Sequence, residues 1–340
     1  MKFTQTAAIV LAVFVGPACA EAATSCVATA TAIQSALTVA ENNSQDDAIE
    51  IVGGSYLLAA GLTFNSAEAH LLDISGGWNA GCTQQINADT TLDGQNSVPP
   101  LILYNANGPV HVSHLTFASG KTTASLQAPI QISSNSQPVS IEMNSFIGNK
   151  GTNGIGALTA STGFYGMVIR NNLFIGNHGA LGGALFASMT AGEGFVIGNT
   201  MVGNIADADG SSGGLGIGGA AHFYISNNIL WNNNSITGTF DFKANVDHSR
   251  YHNDIGAVGS GTAPAEVVAE QYVDPQFAPC PGFVCFIFEL SPTSPLVDAG
   301  DDIAPGGITQ TDLAGKPRRL GAHVDIGAYE NEVIFVDGFE

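Results

Sequence analysis

A repeat of about 28 residues constrains this chain more than any other feature. Four segments share one pattern, an aliphatic residue, an Asn, a bulky apolar residue and a second Asn: Ile141–Asn149, Ile169–Asn177, Val196–Asn204 and Ile225–Asn233. Corresponding asparagines are 28, 27 and 29 residues apart, and a weaker copy, Val112–Gly120, stands 29 positions before the first. Such a period marks a solenoid, in which each unit is one coil that buries its apolar face only against its neighbours. Parallel coils stack at about 4.8 Å, so equivalent side chains form columns. The alignment predicts one interior column of Ile141, Ile169, Val196 and Ile225 and another of Phe146, Phe174, Met201 and Leu230. Asn144, Asn172, Asn199 and Asn228 are expected to form a ladder inside a turn, since an unpaired buried amide costs about 1–3 kcal/mol. Asn149, Asn177, Asn204 and Asn233 are expected at the next bend, where Asn tolerates left-handed backbone angles.

Composition agrees with strands and turns. Only 11% of residues are charged, 9 are Lys or Arg and 42 are Gly, too few charges to dress the solvent faces of helices. The net charge of −20 excludes a basic footprint for phosphate backbones or anionic lipid, so nucleic acid is not an expected partner. The predicted fold is all-β: a single-stranded right-handed parallel β-helix with an N-terminal helical cap and a C-terminal β-rich capping segment. The expected organisation is a signal peptide over 1–20, an N-terminal cap over 21–47, a β-helix over 48–290, a C-terminal segment over 291–330, and a last strand or sorting tag over 331–340. Thr31 to Glu41, with Ile33, Ala36, Leu37 and Ala40 on one helical face, reads as the cap.

Met1-Lys2, an apolar run from Ala7 to Val15 and the small residues ending at Ala20 have the layout of a secretory signal. No later stretch reaches the roughly 20 apolar residues of a spanning helix. The four cysteines after Ala20 favour disulfides in an oxidising compartment, and of three pairings Cys26–Cys82 with Cys280–Cys285 is the one expected.

Gly182-Gly183-Ala184-Leu185, following a Phe174–Asn177 copy, resembles the paired GGA(I/L) and FxxN motifs of polymorphic outer-membrane protein repeats and the wider right-handed parallel β-helix families. The run from Ser294 to Gly300, through Asp312–Arg318, to Val324–Glu330 resembles the choice-of-anchor Q domain. Together these resemblances cover roughly residues 110–330. They imply a bacterial protein that is exported, secreted or held at the cell surface. The translocating barrel usual in the first family has no counterpart after Glu330.

The same resemblances supply no catalytic motif. A lyase on this fold needs a Lys or Arg base and calcium-binding acids; only three cations, Lys150, Arg170 and Lys243, fall within the clear coils, and Arg170, expected near Glu142 and not far from His178, is the candidate. Its default reading is a surface ion pair. A glycosidase needs two carboxylates about 5–10 Å apart. Asp207 with Asp209 is one candidate pair; the better one is the cluster Asp247, His248, Arg250, His252 and Asp254, whose default reading is a solvated loop. Asp298, Asp301, Asp302 and Asp312 are candidate calcium ligands, explained equally by turn duties; no organic cofactor is expected. The leading expectation is a non-catalytic, adhesin-like exported protein binding a polysaccharide or another cell-surface component. A lyase or hydrolase of acidic polysaccharide and a structural surface component are the alternatives.

Overall fold

The computed structural model describes residues 22–208, 211–235, 240–279 and 288–331. The signal-like segment 1–20, Asp209, the Cys280–Cys285 pair and the final residues 332–340 lie outside the described residues.

The chain is an all-β parallel solenoid of about eight turns. One ten-stranded sheet runs from Ala23–Val27 to Glu266–Val268; sheets of eight, seven and five strands form the other sides. Each coil lies in register on the next, Ile141 beside Ile169, Ile169 beside Val196, Val196 beside Ile225. The second column is equally regular, with the Phe117 and Phe146 rings 5.2 Å apart and the Phe146 and Phe174 rings stacked at 4.5 Å and 5°. Strand alternation sends every second residue inward, which is why these columns are fully buried.

Two asparagine ladders hold the turns. In the first, the Asn144 N–H donates to Asn172 Oδ1 (3.0 Å), Asn172 to Asn199 (3.0 Å), Asn199 to Asn228 (2.9 Å) and Asn228 to Asn253 (3.0 Å). The side-chain amides of Asn144, Asn172, Asn199 and Asn228 donate to the next Oδ1 and to a carbonyl one coil back, so no polar group is orphaned. The second set of asparagines corrects the sequence reading. Asn149, Asn177, Asn204 and Asn233 do not take the left-handed bend; they are buried and form a second ladder ending on Asp241 Oδ1. The left-handed residue is in each case the one before: Met143, Asn171, Gly198 and Asn227 in one turn, Gly148, Gly176, Gly203 and Asn232 in the other. Placing the strained angle one residue earlier turns the ladder Asn inward.

At the N-terminal end the helix Ala30–Ala40, capped by Thr29, buries Ile33, Leu37 and Ala40 in the main core. Cys26 and Cys82 form a disulfide with their Cα atoms 5.7 Å apart, tying the first strand to the loop after Trp78.

The C-terminal segment is the main departure from expectation. Residues 291–330 contain no extended strand and do not sit on the end of the stack. They run back along its flank: Gly327 N–H donates to the Asn227 carbonyl, Ala328 N–H to Thr200 Oγ1, Asn171 Nδ2 to the Thr311 carbonyl and Asp301 N–H to Asn227 Oδ1. The physical reason lies on the coils beneath. Leu173 and Ile229 point outward there, and Leu296, Ile326, Ala328 and Tyr329 cover them. The segment's own shape is set by Arg318, buried and donating to Glu330 Oε2 (2.7 Å) and to the Asp325 and Gly327 carbonyls. Asp312, Asp325 and Glu330 accept backbone N–H groups around it.

Candidate functional site

The residues singled out between Asp247 and Asp254 are not a loop. His248–Tyr251 is a strand of the ten-stranded sheet and Asp254–Ile255 a strand of the eight-stranded one, so alternation scatters the cluster. His248 points inward, its ring 5.4 Å from Phe242, and burial lowers its pKa. Arg250 also points inward, taking the place that Ile225 holds one coil below. It pairs with Glu270 at 3.2 Å, the two side chains 7% and 2% exposed, and its guanidinium lies 5.7 Å from the Phe242 ring centroid. His252 occupies a left-handed turn and contacts the Ala299 carbonyl through Nδ1. Asp254 is fully buried on the outer face of the eight-stranded sheet, accepting from the Val273 N–H, and burial pushes its carboxyl up to about 7. Asp247 alone is open to solvent, far in character from its sequence neighbours, with its carboxylate on His222. The structure therefore does not assemble Asp247 and Asp254 as a carboxylate pair.

Arg170 forms a two-pronged ion pair with Glu142, Nε to Oε2 at 2.9 Å and Nη2 to Oε1 at 3.2 Å. Despite burial, which opposes ionisation, bonds from Arg170 and Ser140 hold the Glu142 carboxyl below its usual range. His178 is not part of this set; it lies in the five-stranded sheet and pairs with Asp207. The four candidate calcium ligands are engaged by the protein: Asp298 by His323 N–H, Asp301 by Ile303 N–H, Asp302 by Val324 N–H, Arg319 and His323, and Asp312 by Lys316 and Glu330 N–H groups. No group of three or more His, Cys, Asp or Glu with metal-holding geometry occurs among the described residues.

What the structure does bring together is a strip on the outer face of the last coils of the ten-stranded sheet. Register places Phe195 beside Tyr224 and Tyr224 beside Ser249. The Phe195 and Tyr224 rings stack at 5.5 Å and 10°, and the His222 ring meets Tyr224 edge-on at 4.6 Å. The Phe195 and Tyr224 side chains are partly buried; of the exposed carboxylates nearby, Glu193 accepts from the Tyr224 hydroxyl at 3.5 Å, Asp247 meets His222 and Glu266 meets Tyr251. Tyr251 donates to Glu266 at 2.7 Å, His222 Nδ1 meets Asp247 Oδ2 at 2.8 Å and Ser249 Oγ meets His222 Nε2 at 3.2 Å. Hydrogen bonding to His222 holds the Asp247 carboxyl below its usual range. The tail borders the strip, since Gly306 packs against Phe195 so closely that a Cβ there would meet the ring at 2.6 Å.

Sequence inspection missed this strip because Phe195, Tyr224, Ser249 and His222 look like ordinary repeat filler one coil at a time. Only their register, with offsets close to one coil, puts them side by side.

No protein-family model, no curated protein and no solved structure matches the chain. The fold class stands on its own geometry: a parallel β-solenoid with a disulfide near its N-terminal end and, among the described residues, no helix long and apolar enough to cross a membrane.

Proposed function

We propose that this chain is an exported bacterial β-helix protein that binds glycans through the strip built on Phe195 and Tyr224. The observation that carries the reading is the partly exposed stacked pair, with Glu193 on the Tyr224 hydroxyl and Asp247 and Glu266 on its neighbours His222 and Tyr251. An aromatic face covers the C–H surface of a sugar ring, while carboxylates and a phenol exchange hydrogen bonds with its hydroxyls. The chemistry selects a hydroxyl-rich, uncharged glycan, because three carboxylates on a protein of net charge −20 repel uronic acids. The signal-like start and the resemblance to polymorphic outer-membrane repeats and to the choice-of-anchor Q domain support a place at the cell surface or in the medium.

The test is a panel of immobilised neutral and acidic glycans probed with the folded chain. Binding to neutral glycans is expected, weakened about tenfold or more in Tyr224→Ala, as for an interface aromatic. Retention of acidic polymers alone, or equal binding by Tyr224→Ala, would sink the reading.

A further inference from the structure

Five histidines among the described residues contact a carboxylate: His70 with Asp46, His111 with Asp73, His178 with Asp207, His222 with Asp247 and His323 with Asp302. His222 differs from the others in that its second ring nitrogen meets a hydroxyl, that of Ser249. The arrangement follows from strand geometry. Asp247, Ser249 and Tyr251 alternate with inward-facing His248 and Arg250, so all three project from one face of the last coils. His222, on the strand below and level with Asp247, reaches both: Nδ1 to Asp247 Oδ2 at 2.8 Å and Nε2 to Ser249 Oγ at 3.2 Å. A carboxylate only accepts, so the proton of the neutral ring sits on Nδ1. Nε2 is then bare and accepts from Ser249.

From this geometry we infer that Ser249, His222 and Asp247 form a nucleophile, general base and positioning acid for hydrolysis of small acyl esters, of the kind carried by glycan hydroxyls. The same constellation serves acyl transfer on unrelated folds and is recognised by geometry and role, not by chain order. Ser249 Oγ bonds to the ester carbonyl carbon while its proton passes to His222 Nε2. Collapse of the tetrahedral species breaks the bond to the sugar oxygen, which leaves with that proton. Water then attacks the acyl-serine, giving its proton to His222; release of Ser249 returns that proton, and the carboxylic acid departs. The Tyr251 hydroxyl, on the same strand face two residues beyond Ser249, donates to the exposed Glu266. Turned from Glu266 to the tetrahedral oxygen, it supplies the donor such a species needs. Ser249 keeps only 4% of its surface, so the acyl group that reaches it must be small, acetyl rather than a long chain. The proposal rests on the glycan reading for its leaving group only.

The experiment is labelling of the intact folded chain with a fluorophosphonate, followed by peptide mapping, alongside hydrolysis of 4-nitrophenyl acetate. The adduct is expected on Ser249. Ser249→Ala and His222→Ala are each expected to lower kcat/KM by about a thousandfold or more. Asp247→Asn, in which a solvent-exposed group is lost, is expected to lower kcat by about ten- to a hundredfold with KM unchanged, restored in part by Asp247→Glu. An unlabelled Ser249 overturns the assignment without requiring any variant to fold, and so does wild-type hydrolysis by Ser249→Ala. The two readings separate cleanly. Glycan binding without Ser249 labelling removes the esterase alone, whereas labelling and ester hydrolysis without glycan binding removes the glycan reading and leaves the esterase.

Discussion

The middle and the last coils of the rod share one register and carry different chemistry. From Val112 to Ile225 the column beneath the ten-stranded sheet is aliphatic at every level; one coil later the same place holds Arg250. The neighbouring ladder column holds asparagine from Asn144 to Asn253, and the next position by register is Glu270. Stacking thus fixes where a side chain points but does not require it to be apolar. In the middle coils the ladder amides are bonded to the coil on either side. At the last coil Arg250 Nε and Nη1 and Glu270 Oε1 are buried without a partner among the described residues.

The largest effect expected of this difference is on breaking the ion pair. Glu270→Ala leaves Arg250 buried and unpaired and should cost about 3–5 kcal/mol in urea unfolding, whereas Arg250→Leu with Glu270→Leu should be neutral or stabilising. If the double variant proves as unstable as the single one, the last coil depends on the ions for more than neutralisation.

The same coils should set the pH dependence. Burial raises Asp254 from the ordinary 3.8 to about 7 and Asp241 to about 6, and each has one carboxyl oxygen without a partner among the described residues, as fits a neutral acid. A folded-state pKa above the unfolded one means the fold binds more protons, so this stability is fully present below about pH 4 and is lost as pH rises through about 6 and 7. For Asp254 the loss has a ceiling of roughly 4 kcal/mol, at about 1.4 kcal/mol per unit. Unfolding midpoints from pH 4 to 8 should fall in the native chain and fall less in Asp254→Asn. A rising curve would mean that the buried carboxyls ionise in partnership with a cation.

These two ends of the rod also show what a linear reading reaches. The middle coils are legible because stacking forces the same residue type into the same phase, so Phe146 predicts Phe174 and Asn144 predicts Asn172. The last coils and the strip are not, because the useful relation is the offset of 25 between His222 and Asp247, shorter than the repeat and shared only by that one short coil, from Asn228 to Asn253. Closeness in sequence misled at the same place: Asp247 and Arg250 are three apart, yet strand alternation sends one out and the other in. The second ladder is hidden in sequence because an Asn at a bend and an Asn just after a left-handed residue look alike there. The tail carries no period at all, so its path along the flank depends on the apolar outer residues Leu173 and Ile229, which no internal comparison flags.

At the N-terminal end the contrast is with a covalent tie. Cys26 and Cys82 are 56 residues apart, so opening their bond frees a long loop in the unfolded chain and should lower stability by about 2–4 kcal/mol. The paired substitution Cys26→Ala with Cys82→Ala, measured by thermal unfolding at constant pH, should lower the midpoint. It should leave the loss between about pH 6 and 7 in place, because Asp241 and Asp254 lie at the other end.

A ladder amide in the middle coils is the most local of these tests. Asn199 Oδ1 accepts from both the backbone and side-chain N–H groups of Asn172, and its own amide donates to Asn228 Oδ1 and to the Ile169 and Ile197 carbonyls. Asn199→Ala strands groups on both neighbouring coils, for which about 1–3 kcal/mol is expected. Asn199→Asp keeps the acceptor for Asn172 but turns a donor toward Asn228 Oδ1 into a second acceptor, and it buries a charge unless the acid is neutral. Asn199→Asp should therefore approach the native stability below about pH 4 and fall under Asn199→Ala above neutrality. The second ladder already ends on such an acid, Asp241, which takes Asn233's donors and whose other carboxyl oxygen has no partner among the described residues. An aspartate is compatible with the end of an amide column and not with its middle, and the pH at which Asn199→Asp crosses Asn199→Ala measures that difference directly.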